Sequence, residues 1–285
     1  GKEYYVGDDG QLVRSEWVDY DGSYYFVNSS GAKITNDWRL TTPYDDDTAD
    51  EEWYYFKSNG KRAENEKITY KGKTYYFDTD GKMLTGWVTT GDGATSVNEA
   101  TGYEKDHTFY CDETGARVEG AWVKDTEPGT DDDDADADEY WYYLKSSGKV
   151  ATGRQTNIKG QAFILGNKAD NLGQMLTGWV GGDLNSDNKY VYEEIGEENS
   201  TTKLSDVDVA YYCLYDEDKA DGHVQENKWV KTWRPEDAYD EDEDDDKYWY
   251  WLEKDGKAYI PAWKDNNAGD FVGIAYKYDL GDGAL

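Results

Sequence analysis

Apolar residues in this chain do not spread at helical spacing. They come in bursts of three, mostly aromatic, each followed by a polar turn that ends in glycine, and a tryptophan usually closes the unit. The triads read as Tyr4-Tyr5-Val6, Tyr24-Tyr25-Phe26, Tyr54-Tyr55-Phe56, Tyr75-Tyr76-Phe77, Phe109-Tyr110-Cys111, Tyr142-Tyr143-Leu144, Phe163-Ile164-Leu165, Tyr211-Tyr212-Cys213 and Tyr250-Trp251-Leu252. A triad is too short for a helix, is rich in strand formers, and is bounded by Asp, Asn, Ser and Gly. The segment from Trp17 to Phe26, with Asp21-Gly22 at its centre, predicts two short strands across a tight turn, and Lys71-Gly72 and Lys159-Gly160 repeat that signal. A lone hairpin cannot bury its aromatic face. Stacking repeats along an axis does, so the prediction is an all-β solenoid of stacked β-hairpins, about nine in residues 1–285 with a divergent tail at 264–285.

A longer rhythm overlies the short one. Met83-Leu84-Thr85-Gly86-Trp87-Val88 recurs as Met175-Leu176-Thr177-Gly178-Trp179-Val180, and acidic runs precede Trp53, Trp141 and Trp249. Hairpins therefore come in threes: one with an acidic insertion, one tight, one with a long mixed insertion. The insertions at 43–52, 127–139 and 236–246 hold 23 of the 62 acidic residues and no Lys or Arg, and setting them aside takes the net charge from −32 to −9.

Aromatics make up 16% of the chain and all hydrophobic residues only 37%, so the core must be built from rings rather than aliphatic side chains. A chain this acidic repels polyphosphate, which excludes nucleic acid and an anionic membrane surface as partners. No apolar run reaches the length of a spanning helix, so membrane insertion is not expected.

Trp53-Tyr54-Tyr55-Phe56, the run Asp80-Gly81-Lys82-Met83-Leu84-Thr85-Gly86-Trp87 and the run Gly173-Gln174-Met175-Leu176-Thr177-Gly178-Trp179 resemble the cell-wall-binding repeat family, which includes choline-binding and glucan-binding modules. The resemblance covers nearly the whole chain. It implies a solenoid with about three hairpins per superhelical turn, an extracellular place on a bacterial surface or wall, and a chain that is a piece of a larger protein. It also implies that choline is caged between neighbouring hairpins by cation–π contacts. Carried over by position, the cages are Trp38/Trp53/Tyr75, Trp122/Trp141/Phe163 and Trp229/Trp249/Tyr276, with Arg62 falling in the first. Elsewhere the residue opening the triad is Ser23, Thr74, Thr108, Ala162 or Ala210, which breaks the cage. The expected ligand is the choline of teichoic acid or a wall polysaccharide, since ring faces suit sugars as well.

Other chemistries find less support. Asp183, Asn185, Asp187 and Glu194 fall at the first, third, fifth and twelfth positions of a calcium-loop spacing, with Asn188 where glycine is usual. Cys111 and Cys213 occupy equivalent triad positions and read as buried apolar thiols, and His107 and His223 lack metal-ligand spacing. No nucleophile, P-loop or zinc-protease motif occurs, so no enzyme and no cofactor beyond calcium is expected. A structural or adhesive stalk, whose acidic loops meet a basic protein partner or calcium, stays open on the sequence alone.

Overall fold

The computed structural model describes residues 1–91, 97–130, 134–196, 202–214, 221–235 and 247–259. The acidic insertion at 236–246, the tail at 264–285 and Tyr276 lie outside these residues, as do 131–133 of the second acidic insertion. Antiparallel hairpins account for nearly all of the regular structure. They are β1 (Glu16–Tyr20) with β2 (Ser23–Val27), β3 (Asp37–Thr41) with β4 (Glu52–Phe56), and β5 (Glu66–Tyr70) with β6 (Lys73–Phe77). Next comes β7 (Gly86–Thr89), flanked by β8 (Asn98–Glu99) and β9 (Thr108–Cys111). Then follow β10 (Ala121–Asp125) with β11 (Tyr140–Leu144) and β12 (Gly153–Ile158) with β13 (Gln161–Leu165). β14 (Gly178–Leu184) is flanked by β15 (Tyr190–Ile195) and β16 (Val209–Cys213), and β17 (Lys228–Thr232) pairs with β18 (Tyr248–Leu252).

The tight turns are those the sequence predicts. Asp21 (φ 53°) and Gly22 (65°) sit in the left-handed region, as do Lys71 and Gly72 (48° and 80°) and Lys159 and Gly160 (52° and 88°), the backbone a two-residue hairpin needs. From β3 to β18 the threefold rhythm holds: acidic, tight and long insertions alternate. The long insertions are not plain loops. β8 and β15 each add an outer strand to the first strand of their hairpin, and β14 runs on to Leu184 beside β15.

At six junctions one hairpin is tied to the next by a backbone hydrogen bond. The N–H of Arg62 donates to the Tyr24 carbonyl (2.8 Å), Met83 to Trp53 (2.9 Å), Arg117 to Thr74 (2.8 Å), Met175 to Trp141 (2.8 Å), Val224 to Ala162 (2.8 Å) and Ala258 to Ala210 (2.8 Å). Every acceptor opens a triad and, except at Met175 and Val224, every donor lies six residues after a triad's end. This series corrects the register of one repeat: the residue opening the second hairpin's triad is Tyr24, not Ser23, and the triad is Tyr25-Phe26-Val27. The pairing agrees, since Glu16 faces Val27 as Asp37 faces Phe56 and Glu66 faces Phe77. Stacking also explains the glycine that ends each turn. Gly81 (φ 76°) and Gly115 (φ 75°) lie under the side chains of Arg62 and Met83, and a Cβ at either would overlap them.

Contacts group the chain into two compact units. One holds Gly1–Ala121, Thr126–Asp138 and Leu144–Val150, and the other Trp122–Asp125, Glu139–Tyr143 and the chain from Ala151 onward. In the first, Phe26, Tyr54 and Phe56 pack with Trp17, and Tyr76, Val88, Phe109 and Cys111 form a second cluster. In the second, Ile164, Val180, Tyr192, Tyr211 and Cys213 form one cluster, and Trp179, Ile195, Tyr250 and Leu252 another. Both cysteines are buried and free, and burial pushes both thiols up, Cys111 to about 12.

Burial also pushes the hydroxyls of Tyr54, in the first unit, and Tyr192, in the second, up to about 12. The unfolded chain releases those protons near about pH 10, so the folded state binds more protons above that point. Stability is therefore complete below about pH 10 and declines towards about pH 12. Melting curves across this window should show both units losing thermal stability, and unchanged melting at the alkaline end would contradict the burial of these hydroxyls.

Candidate functional site

At four junctions a closing tryptophan makes the same pair of ring contacts. Within its own hairpin Trp17 meets Phe26 at 5.5 Å between centroids, Trp38 meets Tyr55 at 5.1 Å, Trp122 meets Tyr143 at 5.2 Å and Trp179 meets Tyr212 at 5.2 Å. Across to the next hairpin, Trp17 meets Tyr54 at 4.9 Å, Trp38 meets Tyr75 at 4.9 Å, Trp122 meets Phe163 at 4.9 Å and Trp179 meets Tyr250 at 4.8 Å. These edge-to-face contacts are a favoured ring geometry, and they seat each indole between its own hairpin and the next.

What stands at the opening position, and which residue of the next hairpin donates its N–H to it (the sixth after the triad at Met83 and Ala258, the tenth at Met175), decides what each junction is. Trp38 and Trp53 lie 6.5 Å apart at 82°, Trp53 is 44% exposed, and Met83 packs against the same cluster as Trp38 and Tyr75. The second expected cage has the same parts: Trp122, Trp141 and Phe163, with Met175 in one cluster with all three. The indole N–H of Trp141 is buried without a hydrogen-bond partner. Both methionines donate their backbone N–H to the cage tryptophan of the previous hairpin, which fixes each thioether as a wall. The Trp179 junction has Ala210 and Ala258 instead and is closed core.

Arg62 is not in the first cage. It reaches back to the Trp17/Tyr24/Tyr54 junction, where its guanidinium carbon lies 4.4 Å from the Tyr24 ring centre and 5.8 Å from that of Trp17. The sixth residue after a triad serves the junction before its own hairpin, so Met83 is the wall of the Trp38 cage. Among the described residues no Lys or Arg lies over the rings of Trp38, Trp53, Tyr75, Trp122, Trp141 or Phe163.

Trp229 and Trp249 sit on the paired strands β17 and β18, Trp229 is 41% exposed, and it meets Trp251 at 5.5 Å. The third ring expected there, Tyr276, lies outside the described residues.

Cages and acidic insertions share hairpins. Trp38 and Trp53 flank the insertion at 43–52, and Trp122 and Trp141 flank that at 127–139. The root of each insertion is held by the tryptophan of the preceding hairpin: Trp17 Nε1 donates to the Thr42 carbonyl (2.9 Å), Trp87 Nε1 to Thr126 (2.9 Å) and Trp179 Nε1 to Trp233 (2.7 Å). Carboxylates therefore start a few residues from each cage and raise the local concentration of cations.

The calcium-loop residues are not brought together. Asp183 faces Val191 across the β14–β15 pair, and Glu194 lies three positions further along β15, opposite Val180. That offset is about 10 Å along the strand, and an odd step turns the two carboxylates to opposite faces, while calcium ligands converge within about 2.6 Å of the ion. The oxygens have other partners as well. Glu194 accepts from the Thr177 N–H and hydroxyl, Asp183 from the Asp208 N–H, and Asn185 from the Asp187 and Lys189 N–H groups. Ser186 and Asp187 form the turn, and Asn188 closes it with the positive φ (58°) its residue type tolerates. Among the described residues no group of three His, Cys, Asp or Glu could hold a metal ion.

Residues 47–80 and 66–96 match the choline-binding repeat family, and residues 15–33 and 136–150 match the putative cell wall binding repeat. These ranges include Trp53, Tyr75 and Met83 of the first cage and Trp141 of the second. The chain is 30% identical over 127 residues to a putative endo-beta-N-acetylglucosaminidase of Streptococcus pneumoniae serotype 4, which covers 44% of this chain and 14% of that protein. It is also 30% identical over 166 residues to glucosyltransferase-S of Streptococcus mutans, covering 58% of this chain and 9% of that protein. The match thus spans only a small part of these relatives. Among solved structures, the choline-binding domain of CbpL from Streptococcus pneumoniae aligns over 94% of this chain and 95% of its own, at 24% identity and a TM-score of 0.43.

Proposed function

We propose that this chain, which carries repeats of the cell-wall-binding family, is a non-enzymatic module that holds the choline groups of a bacterial wall polymer. The sites are Trp38/Trp53/Tyr75 with Met83 and Trp122/Trp141/Phe163 with Met175. One observation carries the reading. The Trp17/Tyr24/Tyr54 junction, built on the same plan, sets a cation supplied by the chain itself, Arg62, over the Tyr24 and Trp17 rings, whereas among the described residues no Lys or Arg lies over the rings of the two methionine-walled junctions. A ring box that accepts a guanidinium in one junction suits a trimethylammonium group in the next, because both are diffuse cations stabilised by several ring faces. The wall would be the place of action, with the acidic insertions concentrating the cationic ligand.

Tryptophan fluorescence during a choline titration tests this. Saturable quenching is expected, with Trp38→Ala and Trp122→Ala each weakening one class of site. A desolvated cation–π cage contributes about 2 kcal/mol, so affinity at the altered site should fall by about 30-fold. A flat choline response beside a saturable response to wall glycan would transfer the ring faces to sugar. No response to either would remove the proposal.

A further inference from the structure

We infer that the junction of Trp17, Tyr24 and Tyr54 is a third cation cage, occupied from within by Arg62, and that the residue six positions after a triad selects internal or external occupancy. The inference rests on the reading of the methionine-walled junctions as cation sites. All three ring positions are filled there: Trp17 and Tyr54 meet at 4.9 Å, and Tyr24 occupies the opening position held by Trp53 and Trp141 in the other two. Arg62 is only 8% exposed. Its Nη2 donates to Glu64 at 3.0 Å, while its Nε is buried with no hydrogen-bond partner. A buried guanidinium ordinarily satisfies its donors. Here Tyr24 and Trp17 give it ring faces at 4.4 and 5.8 Å. Its aliphatic stem passes over Gly81 just as the Met83 side chain passes over Gly115, so arginine and methionine follow the same path and differ in what they bring to the end of it.

This makes the sixth position a selector. Methionine lines the box and leaves its centre for a ligand, whereas arginine reaches into the centre with a cation of its own. The Trp17 junction would then be set without ligand and the Trp38 junction only with it.

Isothermal titration of free choline into the full chain and into Arg62→Met tests the selector. The variant should bind one more choline per chain than the natural sequence, and Met83→Arg one fewer. A folded Arg62→Met with unchanged stoichiometry overturns the inference. Thermal melting of Arg62→Ala decides the matter if choline binds nowhere: methylguanidinium should raise its melting temperature by several degrees and leave that of the natural chain unmoved. If methylguanidinium rescues Arg62→Ala while choline ignores the Trp38 and Trp122 cages, the internal cage stands and the choline reading falls. If choline binds those cages but neither choline nor methylguanidinium stabilises Arg62→Ala, the reverse holds. Should Arg62→Ala and Arg62→Met both fail to fold, the loss of one site in Met83→Arg still decides, and its absence overturns the inference.

Discussion

Replacing Trp179 with alanine should lower the stability of the second unit by about 3–5 kcal/mol, in the range measured for large aromatic truncations in cores. Trp179 is 5% exposed and touches Tyr212 in its own hairpin and Tyr250 in the next. It also packs with Ile195 and Leu204 of the long insertion, and its indole N–H satisfies the Trp233 carbonyl. Truncation thus opens a cavity, unties two hairpins and removes the hydrogen bond to Trp233 at once. Trp229→Ala makes the contrast: the ring is 41% exposed and removes little packing, so its loss should stay under about 1 kcal/mol. Urea denaturation followed by far-ultraviolet circular dichroism measures both. Equal losses in the two variants would mean that the closing tryptophans do not divide into core and surface members.

That division explains how much could be read from the sequence. Triads, tight turns, acidic insertions and the threefold rhythm are local features, and each has a physical signal: ring-rich strand formers, Asp-Gly or Lys-Gly pairs, and charge. The register of the second hairpin also had a signal. Tyr24-Tyr25-Phe26-Val27 is a four-residue apolar run in which two frames keep rings at alternate positions, but only the frame ending at Val27 stands four residues before Gly31, as Phe56 stands before Gly60 and Phe77 before Gly81. With that frame, Tyr24 becomes an opening aromatic and a third complete ring set emerges.

The placing of Arg62 was not local. A side chain six residues beyond a triad points back over the previous hairpin, and only the inter-hairpin hydrogen bonds reveal which junction it serves. The calcium-loop residues lie apart for a related reason. Asp183 to Glu194 matches a loop that lies between helices, whereas Tyr190-Val191-Tyr192 alternates as a strand and pairs with β14, so the ligands are spread along a ladder. Spacing carries chemistry only when the backbone that realises it is the right one.

Gly166 shows the same lesson from a residue that no repeat pattern singles out, and Gly166→Ala should cost about 3 kcal/mol. It follows β13, where the chain takes four more residues than in the hairpins around Gly60 or Gly81 to reach its turn glycine, Gly173. Gly166 donates to the Gln174 carbonyl (2.7 Å) and accepts from the Gly173 N–H (2.9 Å), closing the insertion into a compact loop. The Asn171 carbonyl and side chain lie against its α-carbon, so a Cβ would overlap backbone rather than a flexible side-chain end. Relief requires the loop to open, and the first residues displaced are Gln174 and Met175, the latter a wall of the Trp122/Trp141/Phe163 cage. Gly166→Ala should therefore lose choline affinity at that cage together with stability, while the Trp38 cage, in the other unit, keeps its affinity. Denaturation and fluorescence titration of one preparation would read both. Full retention of the Trp122 site beside a loss of stability would show that the thioether wall is dispensable, leaving the three rings to hold the cation unaided.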